Sequence, residues 1–258
     1  LRLVQLGLSE AAMFGADGSV LQPSEVLRKR AVLVERGSFR PVTHVNLDML
    51  SAALTQFSAE LDEDEEPLSL MELTMNNLLA EGELDLNDFL ARADVLAATG
   101  QTVLISDCFE FHRLARYLFR ATDRPVAIAL GAGSLAEILD EKYYEGLEGG
   151  ILEALGRLFK NDLRMYVYPL LDRESGELTT VESLEIESRL APLYRYLVNR
   201  GSIVSIENYR SDVLHIFSRD VLAKIREGDD AWEKDVPEAV AAMIRERGLF
   251  DYPRALPG

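Results

Sequence analysis

The chain has 258 residues, 48% hydrophobic and 28% charged, enough to bury a sizeable core in one large domain with or without an appendage. A formal net charge of −17 repels phosphate backbones and anionic lipid, which argues against nonspecific nucleic-acid and membrane binding but leaves room for a nucleotide in a local basic pocket. The lone cysteine, Cys108, cannot form an internal disulfide and points to a reducing cytoplasm, and no apolar run approaches membrane-spanning length.

Residues 1–30 read as a prelude. Leu3, Leu6 and Leu8 suit a helix or a strand, and the following hairpin turns at Asp17-Gly18. A short basic helix starting at Pro23 is expected to include Arg28, Lys29 and Arg30. Residues 31–57 then organise the chain: a buried strand over 31–35, a turn containing Gly37, Ser38 and Pro41, and a helix with Leu47, Leu50, Leu54 and Phe57 at helical spacing. The acidic run 62–66 is a solvated loop. Strands are expected over 68–73 (leading into Met75-Asn76-Asn77), 102–106, 126–130, 163–170 and 202–206. Helices are expected over 86–98, 109–119, from Ser134 through Leu139, over 150–159 and 190–199, and from Ser218 and Pro237. Residues 171–182 suit a polar hairpin around Ser175-Gly176. Strands alternating with helices indicate one α/β domain over 31–258, a mostly parallel sheet flanked by helices.

A strand that gives way to a helix through a glycine loop is a place where α/β proteins hold anions, because the backbone comes close and the helix start offers N–H groups. The loop here reads GSFRPVTHVNLDML. It resembles the signature of the nucleotidyltransferase superfamily, especially the nicotinamide and nicotinate mononucleotide adenylyltransferases, with Gly37, Ser38, Phe39, Pro41, Thr43 and Leu47 on the pattern. The resemblance implies a Rossmann-like fold and ATP, with Mg2+ as counter-ion, lying against Gly37, Ser38 and Phe39. Thr43, His44 and Asn46 would then bind the phosphate, assisted by Arg40, and a small phosphate-bearing substrate would attack the α-phosphate and release pyrophosphate. Asn46 stands where the pattern has its second histidine, and His44 lies two places earlier.

Near the C-terminus, HIFSRDVLAKIREGDDAWEKDVPEAVAAMI is similar to the C-terminal signature of the same superfamily, in the form found in ATP sulfurylases. Ile216, Ser218, Val221, Ile225, Gly228, Trp232 and Pro237 fit its spacing, and Leu222 replaces its arginine. The likeness implies that Ser218, with Arg219 or Lys224 supplying charge, faces the ATP phosphates; read locally, Ser218 is the N-cap of an amphipathic helix. The stretches LVERGSFRPVT and DEKYYEGLEGGILEALGRLFK are similar to a family of uncharacterised bacterial proteins in which this region follows an additional N-terminal part. Together with the start at Leu1, they suggest a piece of something longer.

Other stretches carry weaker chemistry. Gly131-Ala132-Gly133-Ser134 after a strand is either a second anion cradle or a plain turn capped by Ser134. The strand ending in Ser106-Asp107 has no Asp-x-Asp nucleophile of the haloacid dehalogenase kind, although Asp107 sits where a ligand is met. Cys108 and His112 lie one helical turn apart, but a half-buried thiol is the simpler reading. The three histidines and one cysteine show no zinc spacing. Tyr143 and Tyr144 either line a pocket or pack as an aromatic patch. Two functions follow: a nucleotide-binding adenylyltransferase, or a non-catalytic domain that keeps the fold and docks a partner domain or a second copy.

Overall fold

The computed structural model describes residue 4, residues 6–75 and residues 86–253. Leu3 and the pair Asn76-Asn77, both singled out in the sequence, lie outside them. The strands are β1 (Ala11–Phe14), β2 (Val20–Leu21), β3 (Val32–Arg36), β4 (Leu68–Thr74), β5 (Thr102–Ser106), β6 (Val126–Gly131), β7 (Arg164–Tyr168), β8 (Leu170–Leu171), β9 (Leu178–Thr179) and β10 (Ile203–Ser205). The helices are α1 (Pro23–Val26), α2 (His44–Ser58), α3 (Leu86–Ala98), α4 (Phe111–Ala121), α5 (Ala132–Ile138), α6 (Gly150–Leu158), α7 (Ala191–Asn199), α8 (Ser218–Glu227) and α9 (Glu238–Arg247).

Eight strands form the main sheet, in the order β10-β7-β6-β3-β4-β5-β1-β2. From β10 to β5 all neighbours pair in parallel, while β1 runs antiparallel to β5 and β2 to β1. Numbered by their appearance in the chain, the parallel strands follow the doubly wound order, and β3 and β6 meet at the point where that order reverses. The chain is therefore an α/β protein with a mostly parallel sheet flanked by helices.

The central strands are apolar throughout because both faces are covered. Leu33 of β3 packs with Leu50, Ala53 and Phe57 of α2, Val95 of α3, Ile225 of α8 and Ile244 of α9. Val32 and Val34 point the other way, toward Leu114 and Leu118 of α4, Leu135 of α5, Leu155 of α6 and Leu197 of α7. Each such side chain, fully buried, contributes about 1.5–3 kcal/mol.

Several expectations shift. The prelude hairpin forms at Asp17-Gly18, where Ser19 N–H donates to Asp17 Oδ1 at 2.9 Å, and it extends the main sheet through β1. Helix α1 stops before Arg28, Lys29 and Arg30: Lys29 is left-handed (φ 55°), and the Arg30 carbonyl accepts from Thr122 Oγ1 at 2.7 Å. The helix expected from Phe109 begins at Phe111, because the carbonyls of Cys108 and Phe109 are turned toward Arg36. The strand expected over 163–170 divides, with β8 leaving the main sheet to pair with β9. Ser218 is not a cap; Phe217 holds that position in extended backbone (φ −119°, ψ 122°), its ring beneath the Arg173 guanidinium at 3.7 Å.

Candidate functional site

At the carboxyl ends of the parallel strands, where β3 and β6 adjoin, lies a cleft of about 290 Å³. Arg36, Gly37 and Ser38 form one wall, with Thr74 from the end of β4. Phe109, Glu110 and Phe111, from the turn between β5 and α4, form a second. Ser134, Glu137 and Ile138 of α5 and the pair Tyr143-Tyr144 of a short 3-10 turn (Glu141–Tyr144) close the third side.

Arg36 is the anchor of this cleft and is fully engaged. Its Nε and Nη2 donate to both carboxylate oxygens of the buried Glu72 at 2.6 and 3.1 Å. Nη1 reaches the Phe109 carbonyl and Nη2 the Cys108 carbonyl, each at 2.7 Å, and the guanidinium lies 4.6 Å from the centre of the Phe111 ring. Ser106 Oγ donates to Glu72 Oε1 at 2.5 Å and accepts from the Cys108 N–H at 3.1 Å. Bidentate guanidinium–carboxylate pairs of this kind hold geometry as well as charge. The network straps β3, β4 and the start of α4 together, and it cancels the positive charge that a phosphate would seek.

Gly37 owes its identity to Phe39. A Cβ on Gly37 would stand 2.8 Å from the Phe39 ring, which is buried and held by a left-handed residue (φ 46°). The loop therefore offers the Gly37-Ser38 backbone to the cleft and hides Phe39 in the core.

The residues expected to bind phosphate are placed differently. Thr43 is the N-cap of α2 and fully buried. Its backbone N–H and its hydroxyl both donate to Asn46 Oδ1 at 3.0 Å, closing a capping box. Asn46 Nδ2 donates to Glu35 Oε1 at 3.1 Å, and Glu35 is itself fully buried, with its Oε2 unpartnered among the described residues. Burial pushes the Glu35 carboxyl well above its ordinary value, opposed by the Asn46 hydrogen bond, so the neutral acid is favoured there. His44 lies in a separate open groove with Asp230, Glu233 and Lys234. Arg40 pairs with Asp88 at 2.7 Å, beside Arg92, which donates to the Ser38 carbonyl at 3.3 Å.

Ser218 and Arg219 begin α8 on the opposite face of the sheet from α4 and α5, and they do not line the cleft. There Arg173 pairs with Asp220 and stacks on Phe217, while Leu222, at the motif's arginine position, packs against the core. Of the sequence candidates, the structure thus brings Gly37, Ser38, Ser134, Tyr143 and Tyr144 together and leaves Thr43, His44, Asn46, Arg40, Ser218 and Arg219 elsewhere. Tyr144 is a packing residue, donating to the Ile138 carbonyl at 2.8 Å, its phenol pushed up to about 12 by burial and then by Glu110. Tyr143 and Phe109 are about half exposed at the mouth. Burial also raises the Cys108 thiol, chiefly against a hydrogen bond from Ser106, and burial lowers the His112 imidazole.

Sequence reasoning missed the Arg36–Glu72–Ser106 network. Its signal was present: two opposite charges inside otherwise apolar strands have to find each other.

No family model matches the chain, and no curated protein matches it in sequence. Among solved structures, the Plasmodium falciparum nicotinic acid mononucleotide adenylyltransferase complexed with APC is similar at a TM-score of 0.51 and 12% identity, over 87% of this chain and 98% of that one. The same enzyme complexed with NaAD gives a TM-score of 0.49 and 10% identity over 87% and 98%. At such identity, what is shared is the course of the backbone. The chain therefore shares with that enzyme an α/β fold, a mostly parallel sheet flanked by helices.

Proposed function

We propose that the chain is a nucleotide-binding domain of adenylyltransferase fold that holds the base and sugar of its ligand in the cleft between β3 and β6, and that it does not transfer adenylyl groups through Thr43, His44 and Asn46. The observation that carries this reading is the sealed state of Thr43 and Asn46: both are committed to the α2 cap and to Glu35 beneath it. The cleft suits a flat, uncharged group. Phe109 and Tyr143, about half exposed, offer aromatic rings, each base–aromatic stack being worth about 1–3 kcal/mol. Gly37 and Ser38 offer backbone, and Glu110 and Glu137 offer acceptors for amino groups.

Mg-ATP, which the fold would bring, fits the described residues poorly. Arg36 is neutralised by Glu72, Leu222 replaces a cation on α8, and no group of three His, Cys, Asp or Glu residues is arranged for a metal among the described residues. A second reading, adenylyl transfer to a phosphate-bearing acceptor, draws on the fold and on the position of Gly37 and Ser38 in the wall.

Calorimetric titration with adenosine, AMP and Mg-ATP separates them. The proposal expects adenosine and AMP to bind, with Phe109→Ala weakening both by about tenfold. Pyrophosphate release that is lost on His44→Ala or Thr43→Val would overturn it in favour of the transferase. Absence of binding by all three at millimolar concentration would overturn both and leave a domain that docks a partner.

A further inference from the structure

Two carboxylates border the cleft between β3 and β6, Glu110 from the turn before α4 and Glu137 from α5. Glu110 stands at the N-cap position of α4, yet its side chain makes no capping hydrogen bond, and its ion pair with Arg113 spans 3.6 Å. Glu137 is exposed in the last turn of α5, where the helix dipole disfavours negative charge. Its carboxylate makes no hydrogen bond or ion pair among the described residues. Neither side chain serves the helix that carries it.

The cations at the cleft are committed elsewhere. Arg36, the cleft's own guanidinium, donates to both oxygens of Glu72 and to two carbonyls. Lys142, next to Tyr143 in the chain, pairs with Asp140 at 2.5 Å and lies 4.8 Å from the centre of the Tyr143 ring. A cavity of about 290 Å³ is small against the screening length of about 10 Å at 0.1 M salt, so an anion anywhere inside it feels both carboxylates. Carboxylates accept hydrogen bonds and donate none, so they favour a ligand that brings hydroxyl and amino groups.

We propose that Glu110 and Glu137 are specificity-determining residues of the cleft and that its preferred ligand is an unphosphorylated nucleoside, whose hydroxyl and amino groups donate to them. A 5′-phosphate replaces one of those donors by negative charge, and like charge set against like is costly at short range. This inference rests on the reading of the cleft as a site for base and sugar, and it narrows the ligand from nucleotides to nucleosides.

The test is calorimetric titration of the whole chain with adenosine and with AMP, at low and at high salt. Adenosine is expected to bind about tenfold more tightly than AMP at low salt, and high salt should narrow the difference. Glu110→Gln and Glu137→Gln keep the shape of the side chain and remove its charge. Each is expected to narrow the difference to about threefold, chiefly by strengthening AMP. Glu25→Gln, at an exposed position of α1 outside the cleft, makes the same change in net charge and should leave the difference as it is. AMP binding as tightly as adenosine would overturn the inference and leave the cleft reading standing. So would a difference that either cleft variant leaves unchanged, or one that Glu25→Gln narrows equally, since the overall charge of −17 would then be its source. Absence of binding by both ligands would overturn the cleft reading and the inference with it.

Discussion

Glu35 and Glu72 are fully buried carboxyl groups on adjacent strands, one register step apart and on opposite faces of the sheet. On the α4 side, Glu72 accepts two hydrogen bonds from Arg36 and a third from Ser106. On the α2 side, Glu35 has Asn46 at one oxygen, and burial drives it toward the neutral acid. A buried carboxylate needs a full set of partners, and where they are missing the proton returns instead. The faces are used accordingly: the Arg36–Glu72 network frames an open cleft, while Glu35 sits under a sealed helix start.

Removing the cation tests the charged side most severely. Arg36→Met leaves Glu72 buried and unpaired, and urea unfolding is expected to show a loss of about 3–5 kcal/mol. Replacing Glu72 by leucine in the same chain should recover most of that; a single variant as stable as the parent would mean that the pair contributes nothing. The loop on the cleft wall comes next. Gly37→Ala forces a Cβ to within 2.8 Å of the Phe39 ring and is expected to cost about 1–3 kcal/mol in the same assay, with weakened AMP binding as the wall shifts.

Asn46→Ala breaks the α2 cap and the hydrogen bond to Glu35, an expected loss of about 1–2 kcal/mol. AMP affinity should stay unchanged, and a large fall would return Asn46 to the binding site. The gentlest probe is pH. Because the folded Glu35 carboxyl is raised above its unfolded value, the native state holds the extra proton. Stability from this group is intact below the ordinary value of 4.5 and declines as pH rises above it toward the raised folded value, by at most about 1.4 kcal/mol per pH unit. Glu35→Gln is expected to flatten that decline and leave the variant relatively more stable at neutral pH. Parallel stability–pH curves for parent and variant would contradict a neutral Glu35.

Much of the fold was legible in the chain. The unbroken apolar runs around Leu33, Leu70, Leu104 and Ile128 announce strands covered on both faces, and their alternation with helices gives a parallel sheet. The glycine loop was legible as a wall, since a strand-to-helix turn at Gly37 has few other uses. The helix start at Phe111 was not, because what delays it is remote: Arg36 draws the carbonyls of Cys108 and Phe109. The start at Ser218 was, although the cap is Phe217, covered by Arg173.

The resemblance put Thr43 and Asn46 on phosphate, and the capping box that they form was not read from the sequence. The choice between the two rests on Glu35, which no reading of the loop includes.

By itself, the sequence determined the alternation of elements and the faces that must be buried, because these depend on periodicity and on short-range backbone chemistry. The tertiary structure alone decided which polar groups face which. Arg36 and Glu72 are 36 residues apart in the chain, and parallel register sets them side by side. Pairing and burial of charge depend on distances across the fold, and those distances decide whether a carboxyl group is an ion, an acid, or the edge of a binding site.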